Sequence, residues 1–226
     1  MNIPETYIVE TIEGRLAWEW FLKKHYAKAI PNIKYCFALL DKDNITHGVC
    51  AFGTPANNHN NEQSGFKQFE LVRLVVNEGL KKNVLSYFVA SALKRLPQPM
   101  SIISYADEGK NHHGYIYQAT NWVYTGKGGG VDFYLSSENK EIHSRVMSDW
   151  RLKYPAMTRD EIATMLKWEK KKGTYKHRYF AFSGNKRDKK QWLKGVAERF
   201  SIEKYPKGDN ERYDACFKPV IQTRLF

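Results

Sequence analysis

Residues 69–107 read FELVRLVVNEGLKKNVLSYFVASALKRLPQPMSIISYAD, and the fold is decided there. Residues 69–76 are β-branched and aliphatic around one internal charge, Arg73, and predict a strand. Residues 77–82 hold Gly79 and read as a turn. Residues 83–96 carry apolar side chains at helical spacing, with Asn83 as the expected N-cap. Pro97 and Pro99 stop that helix, and residues 101–106 make a second short apolar strand ending at Asp107. A strand, a helix and a further strand within forty residues form the unit of a mixed α/β sheet.

Upstream, residues 7–10 alternate as a strand and residues 13–25 have helical spacing. Residues 34–40 and 45–52 form two strands joined by Asp-Lys-Asp-Asn, a hairpin turn. The polar stretch 54–65 has no core-forming side chains and predicts a loop. Downstream, residues 114–121 read as a short helix, and 122–125 pair with 131–135 as a last strand pair. These elements close a catalytic-sized domain over residues 1–136. Residues 137–226 are expected as a separate small basic lobe. Its elements are a helix at 141–150, a helix from the capping box Thr158-Arg-Asp-Glu161 to about 172, a strand at 177–182 and a helix at 188–200.

Charge is divided along the chain. Of 226 residues, 36 are Lys or Arg and 24 are Asp or Glu. Residues 1–140 hold 15 basic and 13 acidic side chains, a net of +2, and residues 141–226 hold 21 and 11, a net of +10. A polyanion partner follows, nucleic acid being the commonest, and double-stranded DNA is the expectation. Lys186, Arg187, Lys189, Lys190 and Lys194, at the start of the last helix, are the expected phosphate contacts. The alternative is a solvated basic surface. No apolar run is long enough to cross a bilayer, and the N-terminus has no basic region followed by an apolar stretch. Three scattered cysteines, Cys36, Cys50 and Cys216, form no disulfide framework. A reduced, cytoplasmic protein without membrane contact is the expectation.

Asp107 ends a strand at the carboxyl edge of the sheet, where open α/β sheets bind ligands. Arg73 lies among apolar neighbours and needs a partner, for which Glu70 or Asp107 is available. The pair is either a structural ion pair or part of an active site. His25 and Tyr26 follow the first helix, and His25 is a candidate base or metal ligand. His112-His113 form a second pair. No HExxH or Cys/His zinc spacing occurs.

The order of elements resembles that of the GNAT acyltransferases. That resemblance implies coenzyme A pyrophosphate held by backbone N–H groups at the strand–helix junction, an anion site at a helix N-terminus. Here the junction comprises Val75, Val76, Gly79, Lys81, Lys82, Asn83 and Ser86, without the usual Arg/Gln-x-x-Gly-x-Gly/Ala pattern. Residues 116–122, IYQATNW, are similar to the family's Leu-Tyr-x-x-x-Gly-Phe signature. The similarity puts Tyr117 where those enzymes keep the general acid that reprotonates the thiolate.

A more specific resemblance is to the bacteriophage Mom-type DNA-modification proteins. It rests on HY at 25–26, ELVRLVV at 70–76 and ISYADEGKNHHGYIYQATNWVYTG at 103–126, with HRYFAF, SGNKRDKK and YPKGDNERYD near the C-terminus. That resemblance implies a GNAT-like enzyme that places a methylcarbamoyl or related acyl group on N6 of adenine in phage DNA, blocking restriction. The implied donor is acetyl-CoA or a related small acyl donor. It also suggests iron, with His25, Tyr26 and Asp107 as ligands, and a site made of His25, Tyr26, Arg73, Asp107 and Tyr117. Two rivals stand: an N-acetyltransferase acting on a protein or small amine, and a non-catalytic DNA-binding protein on the same fold.

Overall fold

The structure is a computed structural model that describes residues 3–55, 62–130, 132–142 and 144–208. The centre of the 54–65 loop, the start of the expected strand at Val131, the end of YPKGDNERYD and Cys216 lie outside those residues. A short helix, α1 (Ile3–Thr6), leads into β1 (Tyr7–Thr11). Helical turns at Gly14–Ala17 and Trp20–Lys24 follow, the second of π type. Next come β2 (Tyr35–Asp41), β3 (Thr46–Gly53), β4 (Glu62–Gln63) and β5 (Phe66–Val76). The middle of the chain forms α2 (Val84–Arg95), β6 (Met100–Asp107), α3 (Tyr115–Ala119) and β7 (Val123–Gly128). The remainder forms β8 (Phe133–Leu135), β9 (Glu141–Ile142), α4 (Ser144–Lys153), α5 (Arg159–Met165), β10 (Glu169–Lys171), β11 (Lys176–Ser183) and α6 (Lys186–Arg199).

The principal sheet has the order β1-β2-β3-β5-β6-β11-β7, with β4 hairpinned onto β5. Every pair is antiparallel except β5 and β6, which run parallel over three positions only, Gln68 with Ser101, Phe69 with Ile102 and Glu70 with Ile103. Beyond Glu70 and Ile103 the two strands separate, and the gap opens toward their carboxyl ends. This is the mixed α/β, GNAT-like sheet that the element order implied, with the two central strands splayed.

Each face of the sheet is covered. On one, α2 contributes Val84, Phe88, Val89 and Ala92 to a core with Leu39, Phe52, Ile102 and Tyr179. On the other, Trp192 and Val196 of α6 pack on Ile103 and Phe180, while Trp20 and Phe21 pack on Cys36, Val49 and Ala51. These side chains alternate along β6 and β11 as period two requires.

Several expectations need correction. The expected boundary at residue 136 does not divide the sheet. β11, from the supposed C-terminal lobe, lies between β6 and β7 and pairs with both, from Lys176 opposite Asp107 to Ser183 opposite Met100. β7 therefore does not pair with β8 (Phe133–Leu135), which lies within the expected partner segment. β8 instead joins β9 and β10 in a separate three-stranded sheet, packed with α4 and α5 around Tyr134, Met147 and Ile162. The helix opened by the Thr158–Glu161 capping box ends at Met165 rather than near 172, because residues 169–171 are taken up as a strand. Asn83 does precede α2, but in the left-handed region at φ 70° and without a side-chain cap bond.

Candidate active site

A cleft of about 700 Å³ occupies the gap between β5 and β6. Its lining joins residues that the sequence keeps far apart: His25 and Tyr26 after the π turn, Arg73 on β5, Asp107 at the end of β6 and Tyr117 on α3. Val75, Val76, Lys81, Lys82, Asn83 and Ser86 line it too, while Gly79 lies outside the lining.

Tyr117 is held on all sides. Its ring sits 4.9 Å from Trp122 and 5.0 Å from Tyr179 by centroids. Its hydroxyl is 2.7 Å from Ser104 Oγ, and Ser104 in turn donates to the Leu71 carbonyl at 2.9 Å. Ser104 has one proton, so when it is given to Leu71 the phenol donates to Ser104. Burial pushes the phenol well above its ordinary value, only partly offset by the Ser104 bond. Tyr117 is therefore a protonated donor at any working pH. Gly114 makes this packing feasible. At φ +75° it begins α3, and a Cβ there would stand 2.5 Å from the Tyr179 ring and 2.9 Å from that of Tyr117.

His25 stacks on Tyr26 at 4.3 Å, and Tyr26 faces His112 at 6.0 Å. Burial first, then the charge of Arg73, lowers the imidazole to about 3. Its Nδ1 accepts the Ala27 N–H at 3.1 Å, so the neutral ring carries its proton on Nε2. His25 thus offers a donor, not the base that was one of its expected roles. Tyr26 is raised above its ordinary value, chiefly by burial and then by Asp107.

Arg73 does not form the expected ion pair with Glu70 or Asp107. Its guanidinium donates to the carbonyls of Val72 at 2.7 Å and Ala29 at 3.1 Å, and its buried Nε has no hydrogen-bond partner. The splaying of β5 from β6 is what separates it from Asp107. Asp107 Oδ1 instead accepts from Gly109 N at 3.0 Å and Thr174 Oγ1 at 2.8 Å. Its second oxygen makes neither of these bonds. Those bonds turn the chain at the end of β6 and fix the carboxyl at the cleft.

The structure lends the suggested iron site no support. His25 Nδ1 and Asp107 Oδ1 are engaged by the chain itself. Among the described residues no three His, Cys, Asp or Glu side chains are grouped to hold an ion. The junction suits an anion better. α2 begins beside Lys81 and Lys82, and the positive end of its helix dipole favours negative charge. The one carboxylate of that loop, Glu78, is neutralised by Lys24, whose buried ammonium donates to both its oxygens at 2.5 and 2.7 Å.

Sequence reading missed Lys24, Ser104 and Tyr105 as members of this site and noted His112 only as half of a histidine pair. Ser104 carried a signal too, as one of two serines in an otherwise largely apolar strand. The α6 cations have a different setting. Asn185 caps α6 by accepting from Asp188 N at 2.9 Å, and Lys194 approaches Glu198 at 3.9 Å. Lys186, Arg187, Lys189 and Lys190 stand at the Ser183 end of β11, the opposite end of the sheet from Asp107.

The fold, a mixed sheet with splayed central strands, is GNAT-like. The chain matches the Mom protein family over residues 6–207 and belongs to it. No curated protein sequence matches it. Among solved structures it is similar to spermidine N-acetyltransferase from Vibrio cholerae in complex with coenzyme A and spermine, at 11% identity and a TM-score of 0.43, covering 83% of this chain and 98% of that one. An acetyltransferase from Bacillus subtilis in complex with coenzyme A aligns at 12% identity and a TM-score of 0.40, covering 78% and 98%. A ribosomal-protein-S5-alanine acetyltransferase from Vibrio fischeri aligns at a TM-score of 0.42, with 79% and 94% covered. Among the described residues no helix is long and apolar enough to cross a membrane.

Proposed function

We propose that this protein transfers an acyl- or carbamoyl-type group to the N6 amino group of adenine in duplex DNA, as a phage defence against restriction. Membership of the Mom family supports the reading. The single observation that carries it is the cleft between β5 and β6, lined at once by an anion-favouring junction and by Tyr26, His25, Asp107 and Tyr117.

The adenine amino group is a poor nucleophile, because its lone pair is delocalised into the ring, and in a duplex it is paired and stacked. The base is extruded, at a cost of a few kcal/mol, into the aromatic side of the cleft at Tyr26 and His112. An acyl-CoA-type donor supplies an activated carbonyl and a thiol leaving group. Lys81, Lys82 and the start of α2 bind its phosphates, and Val75, Val76, Asn83 and Ser86 shape the channel. Asp107 accepts the proton that N6 loses as the new bond forms. Tyr117 gives its phenolic proton to the departing sulfur. Ser104 then turns its hydroxyl from Leu71 to the phenolate and stabilises it until solvent restores the proton. His25 donates through Nε2–H, and the Arg73 charge beside it favours negative charge developing in the site.

Plasmid DNA from cells expressing the protein should resist restriction enzymes whose sites contain adenine. DNA from cells expressing Tyr117→Phe should be cut. Cleavage of both plasmids would favour an amine or protein acetyltransferase instead.

A further inference from the structure

Two guanidiniums stand over one ring on the α6 face of the sheet. Arg178 lies 4.1 Å and Arg199 5.2 Å from the centroid of Phe200. Arg178 is the cross-strand neighbour of Tyr105, which lines the cleft. Arg178 is fixed in place, with Nε donating to Thr125 Oγ1 at 2.8 Å and Nη2 to the Thr125 carbonyl at 3.0 Å. Arg199 Nη1 reaches Gln63 Oε1 at 3.3 Å.

Two like charges have been brought together at one ring. Neither arginine makes a salt bridge among the described residues, although the charges of Glu70 and Glu203 reach this region. Arg178 is held below the ordinary guanidinium value, first by burial, with Arg199 acting in the same direction. The C-terminus of α6 accounts for a cation at Arg199. It does not account for a second one across the same ring, nor for Arg178 Nη1 and Arg199 Nη2, which bond to no described residue.

We infer that Arg178 and Arg199, both packed on Phe200, form a clamp for a DNA phosphodiester beside the extruded adenine. The inference rests on the adenine-modification reading above. Planar forks suit phosphate oxygens, and contact with one ring limits the motion of both. Position favours DNA over the donor as the source of that phosphate, because the clamp shares its face with Tyr105 and α6. The donor junction begins α2, which packs on the other face. It also separates two tasks. The cluster at the start of α6 lies about 25 Å from Asp107, one length of an eight-residue strand. It can hold the duplex at a distance, whereas the clamp can hold the backbone where a base leaves it.

Binding to a duplex oligonucleotide, measured by fluorescence anisotropy across a salt series, tests the clamp. Arg199 is exposed, so Arg199→Ala should fold normally. It should weaken binding roughly tenfold, flatten the log–log salt slope by about 0.9, and lower the fraction of adenine modified in expressing cells. Arg178→Lys keeps the charge but loses the fork, so it should weaken binding with the slope unchanged. Unaltered affinity and slope in both variants, with a wild type that binds and modifies, would overturn the clamp alone. Intact DNA affinity with weakened binding of coenzyme A would assign the phosphate to the donor and overturn it equally. A wild type that neither binds nor modifies DNA would overturn the adenine reading, and the clamp with it.

Discussion

At the scale of single residues, the site is made by burial acting on ordinary side chains. Tyr117 is a phenol held in protonated form, with Ser104 and the Leu71 carbonyl as a short proton chain behind it. Tyr117→Phe removes one hydroxyl from this chain and leaves Ser104 bonded to Leu71. Modified deoxyadenosine should fall by about 10²-fold or more, while stability changes by only about 1 kcal/mol. Nucleoside quantitation and a denaturant melt check the two halves separately. His25 gives a pH signature. Its folded value, about 3, lies below the unfolded one near 6.5, so the unfolded chain binds more protons between those limits. Stability should therefore fall as pH drops from 6.5 toward 3, with burial of His177 adding in the same direction. Denaturant melts from pH 7 to 4 measure the slope. An imidazole NMR titration of His25 with a midpoint near 6.5 would contradict the neutral donor.

At the scale of elements, the hydrophobic period of residues 69–107 was sufficient to read β5, α2 and β6, because each is long enough for its pattern to be unambiguous. What it could not show was pairing. HRYFAF was readable as a strand, yet nothing local says that it enters between β6 and β7, both roughly fifty residues or more back in sequence. Long-range pairing is set by which edges remain unsatisfied, and the β6 edge was the one left open. The same limit hid the site's internal bonds. Arg73 and Asp107 were each legible as functional candidates, whereas two of their partners, the Ala29 carbonyl and Thr174, come from segments remote in sequence. The threading of β11 has a direct consequence. A fragment of residues 1–136 leaves β6 with an unpaired edge and β7 without a partner, so it should not melt cooperatively in circular dichroism. A sharp transition near that of the full chain would contradict the sheet order. Gly114 tests the start of α3. Gly114→Ala combines a positive φ with overlap against two rings, and should cost about 1–3 kcal/mol. Because the overlap falls on Tyr117, modification should fall further than stability alone explains.

At the scale of the whole molecule, charge and cleft act together. The net of +10 over residues 141–226 includes the cations at the start of α6, which under the proposed function would meet duplex DNA. Changing Lys186, Arg187 and Lys190 together to Ala should weaken DNA binding for all sequences alike and make the salt slope shallower. The thermal midpoint should stay nearly constant, since exposed charges contribute little to stability. The central claim is the chemistry at N6, and nucleoside mass spectrometry of plasmid DNA from expressing cells reaches it most directly. A deoxyadenosine of increased mass, present with the wild type and lost with Tyr117→Phe, is the expected result. Unmodified deoxyadenosine from cells that contain soluble, folded wild-type protein would contradict it.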